Sequence, residues 1–481
     1  MITSQIFNSA NQNIFMKQLD YFFNPKSVAI IGASHTPGKI GYEIVANFVG
    51  AGFERKIYPV NPDTKPILGL KVYKSVLDID DDLDLVVICI PAEAVPKVLA
   101  ECVKKKIEAI QIISAGFSEV GEEGKKLEIK CKKIIEGVYT RIIGPNCIGV
   151  FDPHTHVDTL FLSRERCGRP TPGNIAFITQ SGAVGSTILD WLAEEGIGIS
   201  KFVSYGNAMD IDESDLIEYL ADDDKTKVIT VYLEGIEASG QKFMEIAKKV
   251  TKKKPLIILK AGKTEKGMKA VFSHTGSLAG SEKIYSAAFK QSGVIEAQTW
   301  EDLFDYARAF SAQPLPKGNK IAIVTDGGGF GVLATDESER RSLLLPEPSE
   351  QLKKKMSKVM PYYASMHNPI DLTGDADANR FKVVIESCLE SNEYDGVIAI
   401  TLFQVPTLGK EVVDYIIELH KKYNKPLLAC AAGGKFTEEL SKKLFQAGIP
   451  VYPTPERAVE TMSILLKYKE WSEKNNIKLF M

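Results

Sequence analysis

No run of apolar residues in this sequence approaches the ~20 needed to cross a bilayer. Nor does a basic segment followed by an apolar stretch open the chain, so neither membrane attachment nor secretion is expected. Seven cysteines, at 89, 102, 131, 147, 167, 388 and 430, form no CxxC pair. That pattern argues against a disulfide framework and a cysteine zinc site, and free thiols suit a reducing, cytoplasmic compartment. Surplus charge is missing too: 59 Lys and Arg against 62 Asp and Glu leave a net −3, without the basic stripe of a nucleic-acid binder. The lysine runs 104–106, 252–254 and 353–355 fall at helix ends and read as solvated faces. His154 and His156 make an HxH pair with no third ligand nearby, so no metal site is expected.

What is present is 481 residues, 44% hydrophobic and 25% charged, enough for about three domains of roughly 150 residues each. One pattern occurs three times: a continuous apolar strand, a glycine-rich turn, then an amphipathic helix. The strands begin at Val28, Ile175 and Ile321, and their turns end at Gly38, Gly185 and Gly331. Strands apolar on both faces belong to parallel sheets covered by helices. The expected architecture is therefore α/β, with three consecutive doubly wound, Rossmann- or flavodoxin-like domains built on mainly parallel sheets. Pro- and Gly-rich seams place them at 20–150, 151–313 and 319–470, after an N-terminal extension 1–19 and before a tail 471–481.

The second and third domains read as an internal duplication. Lys254-Pro-Leu-Ile-Ile-Leu-Lys-Ala-Gly262 pairs with Lys425-Pro-Leu-Leu-Ala-Cys-Ala-Ala-Gly433, and Gln291-Ser-Gly with Gln446-Ala-Gly. Between those landmarks the second domain has 29 positions and the third 13, an addition of about sixteen residues. Loops that a sister copy lacks are commonly functional. This one contains Ser273-His-Thr-Gly-Ser-Leu-Ala-Gly280 and makes His274 the leading catalytic candidate.

A glycine turn opening a helix offers backbone N–H groups and a positive dipole end to phosphate. The first turn, Gly32-Ala-Ser-His-Thr-Pro-Gly38, is not GxGxxG. The following strand ends in Asn61-Pro62 rather than in the acidic residue an NAD ribose needs. NAD is disfavoured; an Asn-Pro turn with Lys65 nearby tolerates a phosphorylated ribose, as in coenzyme A.

That turn, with Val60-Asn-Pro62, Ser114-Ala-Gly-Phe117 and Gly144-Pro-Asn-Cys147, resembles the CoA-binding domain of NDP-forming acyl-CoA synthetases. Thr179-Gln-Ser-Gly182, Tyr232-Leu-Glu-Gly-Ile236 and Ser273-His-Thr-Gly276 resemble their ligase domains. The likeness runs in family order over about residues 20–465, and is greatest to the α-subunit branch of ADP-forming acetate–CoA ligases, relatives of succinyl-CoA synthetase. It implies acyl-CoA, ADP and phosphate giving free acid, ATP and CoA, through an acyl phosphate and a phosphohistidine. His274 matches the phosphohistidine, Glu234 the carboxylate that orients it, and Ser181, Gly182 and Ala183 the phosphate cradle. Gly32, Ala33, Ser34, Pro37, Gly38, Asn61, Pro62, Lys65, Ser114, Ala115, Gly116 and Asn146 match positions around CoA.

No segment here resembles an ATP-grasp region. The resemblance therefore implies a separate ATP-grasp β subunit holding ADP or ATP with Mg2+, in an α2β2 assembly. Cys147 is expected to line the site without acting as nucleophile, since no histidine partner can be assigned to it. The third glycine loop, Gly327–Gly331, reads equally as an unused duplicate or a docking element. The competing reading is a non-catalytic CoA-sensing or scaffold protein of the same fold, which would need neither His274 nor Glu234. An acetyltransferase would need a further domain after Lys467, where none fits.

Overall fold

Runs made largely of Val, Ile, Leu and Ala become strands buried on both faces. β1 (Ser27–Ile31), β3 (Leu85–Ile88) and β4 (Ala109–Ile112) are buried throughout. With β2 (Lys56–Val60) and β5 (Arg141–Ile143) they form a parallel sheet ordered β2-β1-β3-β4-β5. A second sheet holds β6 (Val150–Asp152), β7 (Val157–Asp158), β8 (Pro172–Thr179), β9 (Ile199–Ser204), β10 (Val228–Leu233), β11 (Leu256–Lys260) and β12 (Ile295–Ala297). Its order is β12-β11-β10-β8-β9-β6-β7, parallel as far as β9, with β6 and β7 added antiparallel at one edge. The third comprises β13 (Ile321–Thr325), β14 (Ile370–Asp371), β15 (Gly396–Ile400), β16 (Leu427–Cys430) and β17 (Val451–Tyr452), parallel and ordered β14-β13-β15-β16-β17.

This computed structural model describes residues 17–236, 239–269 and 282–477. It divides at Gln298 into two compact units, the first holding two sheets and the second one. The three doubly wound α/β folds expected from the sequence are present. In each sheet the first parallel strand (β1, β8 or β13) lies between the next two parallel strands, the switch point where such folds bind ligands beyond the carboxyl strand ends. Each glycine turn follows the strand at that point. All three sheets share this order, so topology alone does not single out the second and third as the duplicated pair.

Helix Ile40–Gly50 leaves the first glycine turn and buries Ile44, Val45 and Phe48 against the sheet. A Cβ on Gly41 would lie 2.0 Å from the Gly32 carbonyl oxygen, so only glycine lets helix and turn close on each other. Gly41→Ala is expected to lower stability by about 1–3 kcal/mol, seen as an earlier urea midpoint at unchanged slope. Gly50→Ala, facing open space, serves as the near-neutral control.

Within the first unit, the two sheets are joined by backbone. Asn207 and Met209 donate N–H to the carbonyls of Pro145 and Gly144, each at 3.0 Å, and Ile211 donates to Ile142 at 3.1 Å. Arg141 pairs with Asp210 at 2.8 Å beside this ladder. The second unit begins at Thr299 and takes in helix Trp300–Ala312. There Asp305 pairs with Arg457 of helix Pro455–Lys474, and its carbonyl accepts the Tyr452 hydroxyl at 3.1 Å. No helix among the described residues is long and apolar enough to cross a membrane.

Candidate functional site

β8 delivers Thr179 to the carboxyl end of the sheet, and Gln180 and Ser181 follow as the turn into helix Gly182–Glu194. The Ser181 hydroxyl caps that helix, accepting the Val184 N–H at 3.4 Å. Thr179 Oγ1 donates back to the Ser181 carbonyl at 2.8 Å and sets the turn's angle. A Cβ on Gly182 would lie 2.7 Å from the Ile148 side chain, so the helix start admits no side chain there. A capped helix start with small residues is suited to a phosphate.

Glu234 reaches the same place from β10. Gln180 Oε1 accepts the backbone N–H groups of Glu234 at 2.8 Å and Gly235 at 3.0 Å, pinning the β10 turn to the β8 turn. The Glu234 side chain is buried, only 5% exposed. Its near neighbour Tyr232 hydrogen-bonds to it. Burial first, and then the Glu234 charge, push the Tyr232 hydroxyl up to about 12, so it stays a proton donor to the carboxylate.

These groups open onto a cleft of about 500 Å3 within the first unit. The far wall comes from the first sheet: Ser114 and Ala115 after β4, and Asn146 and Cys147 after β5. Asn146 sits at φ +59°, a left-handed conformation that asparagine tolerates. Asn146 Nδ2 donates to Asn207 Oδ1 at 3.2 Å, while Asn207 Nδ2 donates to Glu119 Oε2 at 2.5 Å. Glu119 also collects the Gly116 and Phe117 N–H groups. That chain fixes the amide orientation of Asn146 at the cleft. Cys147 lines the cleft too, but burial pushes its thiol up to about 12, which keeps it protonated and unreactive.

Of the residues expected around CoA, Ser114, Ala115 and Asn146 therefore share one cleft with Ser181, Gly182, Ala183 and Glu234. The remainder form a neighbouring group. Asn61 Nδ2 donates to the Ala33 carbonyl at 2.6 Å, and Asn61 Oδ1 takes the Asp63 N–H, so the Asn-Pro turn braces the first glycine turn. His35 Nε2 meets the Lys65 carbonyl at 2.8 Å. The Lys65 side chain is 79% exposed and 3.9 Å from Asp63, a surface cation beside the loop. Ser34 Oγ accepts the Thr36 N–H, while Gly38, just past Pro37, gives its own N–H to Glu43. Pro62 follows Asn61 in its turn, and Gly32 and Gly116 both adopt positive φ. His274 lies outside the described residues, as does all of 270–281.

Gln180, the Glu119–Asn207 pair and Lys260 escape sequence reasoning, because each works through partners far along the chain. Lys260 alone leaves a trace, a lysine ending an otherwise apolar strand. In the second unit, Asp326 opens the third glycine loop. It is buried, and its carboxyl, pushed up to about 6 by that burial, accepts the Leu402 N–H at 2.9 Å. Among the described residues no group of three or more His, Cys, Asp or Glu gathers to hold a metal.

Comparison with known proteins gives these features a family. Residues 26–153 match a model described as a CoA binding domain. Residues 172–310 match a succinyl-CoA ligase like flavodoxin domain, and 321–477 a Ligase-CoA domain. The acetate–CoA ligase [ADP-forming] I subunit alpha of Pyrococcus furiosus is 45% identical over 96% of this chain and 100% of its own. The acetate–CoA ligase [ADP-forming] of Methanocaldococcus jannaschii is 46% identical over 94% of this chain and 63% of its own, longer sequence. A solved structure of the dinucleotide forming acetyl-coenzyme A synthetase 1 of Ca. Korarchaeum cryptofilum, in complex with phosphate and ADP, superposes with a TM-score of 0.89. It is 36% identical, covering 96% of this chain and 99% of that one. With its CoA-binding fold, its open helix start and its buried carboxylate in one cleft, this chain belongs to the ADP-forming acetate–CoA ligase α-subunit family.

Proposed function

We propose that this chain is the CoA-binding, phosphate-relaying subunit of an ADP-forming acyl-CoA synthetase, with acetyl-CoA as its expected thioester. The observation that carries the reading is the shared cleft. Residues matched to a CoA site (Ser114, Ala115, Asn146) face a helix start suited to phosphate (Ser181–Ala183) and a buried carboxylate (Glu234). Thioester and phosphate would meet in that one cleft.

A phosphate oxygen attacks the thioester carbonyl; the C–S bond breaks, and CoA leaves as its thiol, giving an acyl phosphate. A nitrogen of His274 then attacks phosphorus; the P–O bond to the acyl group breaks and the carboxylate departs. Finally ADP takes the phosphoryl group from the histidine. In this scheme the N–H groups at Gly182 and Ala183 neutralise phosphate charge, and Glu234 orients the imidazole and stabilises it once charged. His274 is assigned by its Ser273-His-Thr-Gly276 motif and by the insertion that carries it. ADP, with Mg2+, would sit on a separate ATP-grasp subunit, in a proposed α2β2 assembly. The Pyrococcus furiosus relative, itself named an α subunit and matched along its whole length, supports that division.

The test is partner dependence. Given acetyl-CoA, phosphate, ADP and Mg2+, the full chain alone is expected to release CoA and gain a phosphoryl mass, yet to make no ATP. ATP should appear only when a nucleotide-binding subunit is added. ATP from this chain by itself would overturn the division of labour.

A further inference from the structure

Lys260 ends β11, a strand otherwise made of Leu and Ile, and is 2% exposed. A lysine so buried is tolerated only when its donors and its charge are met. Lys260 Nζ donates to the backbone carbonyls of Glu234, at 2.7 Å, and Ala261, and stands 4.6 Å from the centroid of the Tyr285 ring. Those three contacts surround the ammonium.

The placement is specific. Lys260 pairs in register with Leu233 on β10, and the Ala261 N–H donates to the Leu233 carbonyl at 2.9 Å. One ammonium thus ties together the first residues beyond two neighbouring strands. One of these is the turn bearing Glu234; the other opens the stretch that leads, in sequence, to His274. The geometry points to Lys260 as a positioning residue of the phosphate-relay site, one that holds the Glu234 turn by its backbone carbonyl and balances the Glu234 carboxylate. The inference rests on the role proposed above for Glu234.

It has a signature in pH. Burial lowers the Lys260 pKa to about 8, Glu234 pulling it back up and Lys263 pushing it further down. Lys263 is itself paired with Glu296 at 2.7 Å, and Tyr285 meets Lys260 through its ring. Below about pH 8 the ammonium is charged and holds both carbonyls; above it the amine is neutral and the grip weakens.

The experiment follows phosphoryl transfer onto the full chain, from acetyl-CoA and phosphate, by rapid quench and intact mass, between about pH 6 and about pH 9.5. It compares wild type with Lys260→Met and Lys260→Arg. Wild type should lose rate through a limb near pH 8. Lys260→Met should be slower by about 10- to 100-fold, the loss expected when a charged hydrogen bond orienting a reacting group is removed, and should lack the limb. Lys260→Arg should recover most of the rate and move the limb above the range, because a guanidinium stays charged throughout. A wild type without the limb, a limb unmoved in Lys260→Arg, or wild-type rate in Lys260→Met overturns the role of Lys260 while leaving the proposed function intact. A wild type that takes no phosphate overturns both. The wild-type limb needs no variant to be read, so a misfolded substitution cannot shelter the inference.

Discussion

His274→Ala is expected to remove acid-labile phosphate from the chain altogether and to cut ATP formation by the assembled enzyme by more than about 10⁴-fold. On the function proposed above, this step belongs to His274. An imidazole of ordinary pKa, about 6.5, is largely neutral and nucleophilic near pH 7. Phosphohistidine keeps enough transfer potential to phosphorylate ADP, whereas a serine or threonine ester would not. Burial keeps the Cys147 thiol protonated. The earlier step should survive, because Ser114, Asn146 and the helix start at Gly182 are untouched. The variant should therefore still release CoA from acetyl-CoA in the presence of phosphate, within about threefold of wild type. Intact mass reads the first outcome and thiol titration the second. Equal labelling of variant and wild type would sink the relay.

Glu234→Gln should be the second most damaging change. It keeps the shape, and it keeps the backbone N–H groups that Gln180 holds. Only the negative charge is lost, and with it the stabilisation of a cationic or phosphorylated imidazole. A fall of about 10²- to 10³-fold in the rate of phosphoryl transfer onto the chain is expected. Acetyl-CoA affinity should stay within about twofold, since the CoA-matched residues lie on the opposite wall. Glu234 is also the group that raises Lys260, so without it the alkaline limb should move below the wild-type position. Quenched-flow labelling across pH measures both effects. A variant at wild-type speed would remove Glu234 from the mechanism.

The folds were readable because their signals are local. Val28 to Ile31, Ile175 to Ile178 and Ile321 to Val324 are continuous apolar runs that each end in glycine or lead to one, and such runs leave little choice but a buried parallel strand. His274 stood out for a different reason: a sister copy lacks its loop. The cleft was not readable in that way. Ser114 and Ser181 become neighbours only because two sheets are stitched side by side, and nothing near either residue encodes that contact. Gln180 is a case in point: its partners are main-chain N–H groups at 234 and 235, which every sequence possesses. The helix Trp300–Ala312 teaches the same point. By sequence it closes the second repeat, yet Asp305 and Gln313 bond to Arg457 and Gly448, in the second compact unit.

The backbone ladder from Ile142 to Pro145 and from Asn207 to Ile211 has a consequence for selectivity. Parting the two walls of the cleft would break at least three main-chain hydrogen bonds and the Arg141–Asp210 pair at once. At about 1 kcal/mol net for each contact, the parted state would be a minor one, on the order of one molecule in a thousand. A frame held mostly in one arrangement favours selection by the resting shape of the cleft. On the function proposed above, acids too bulky for that shape are expected to be refused, and widening the cleft by substitution should admit them.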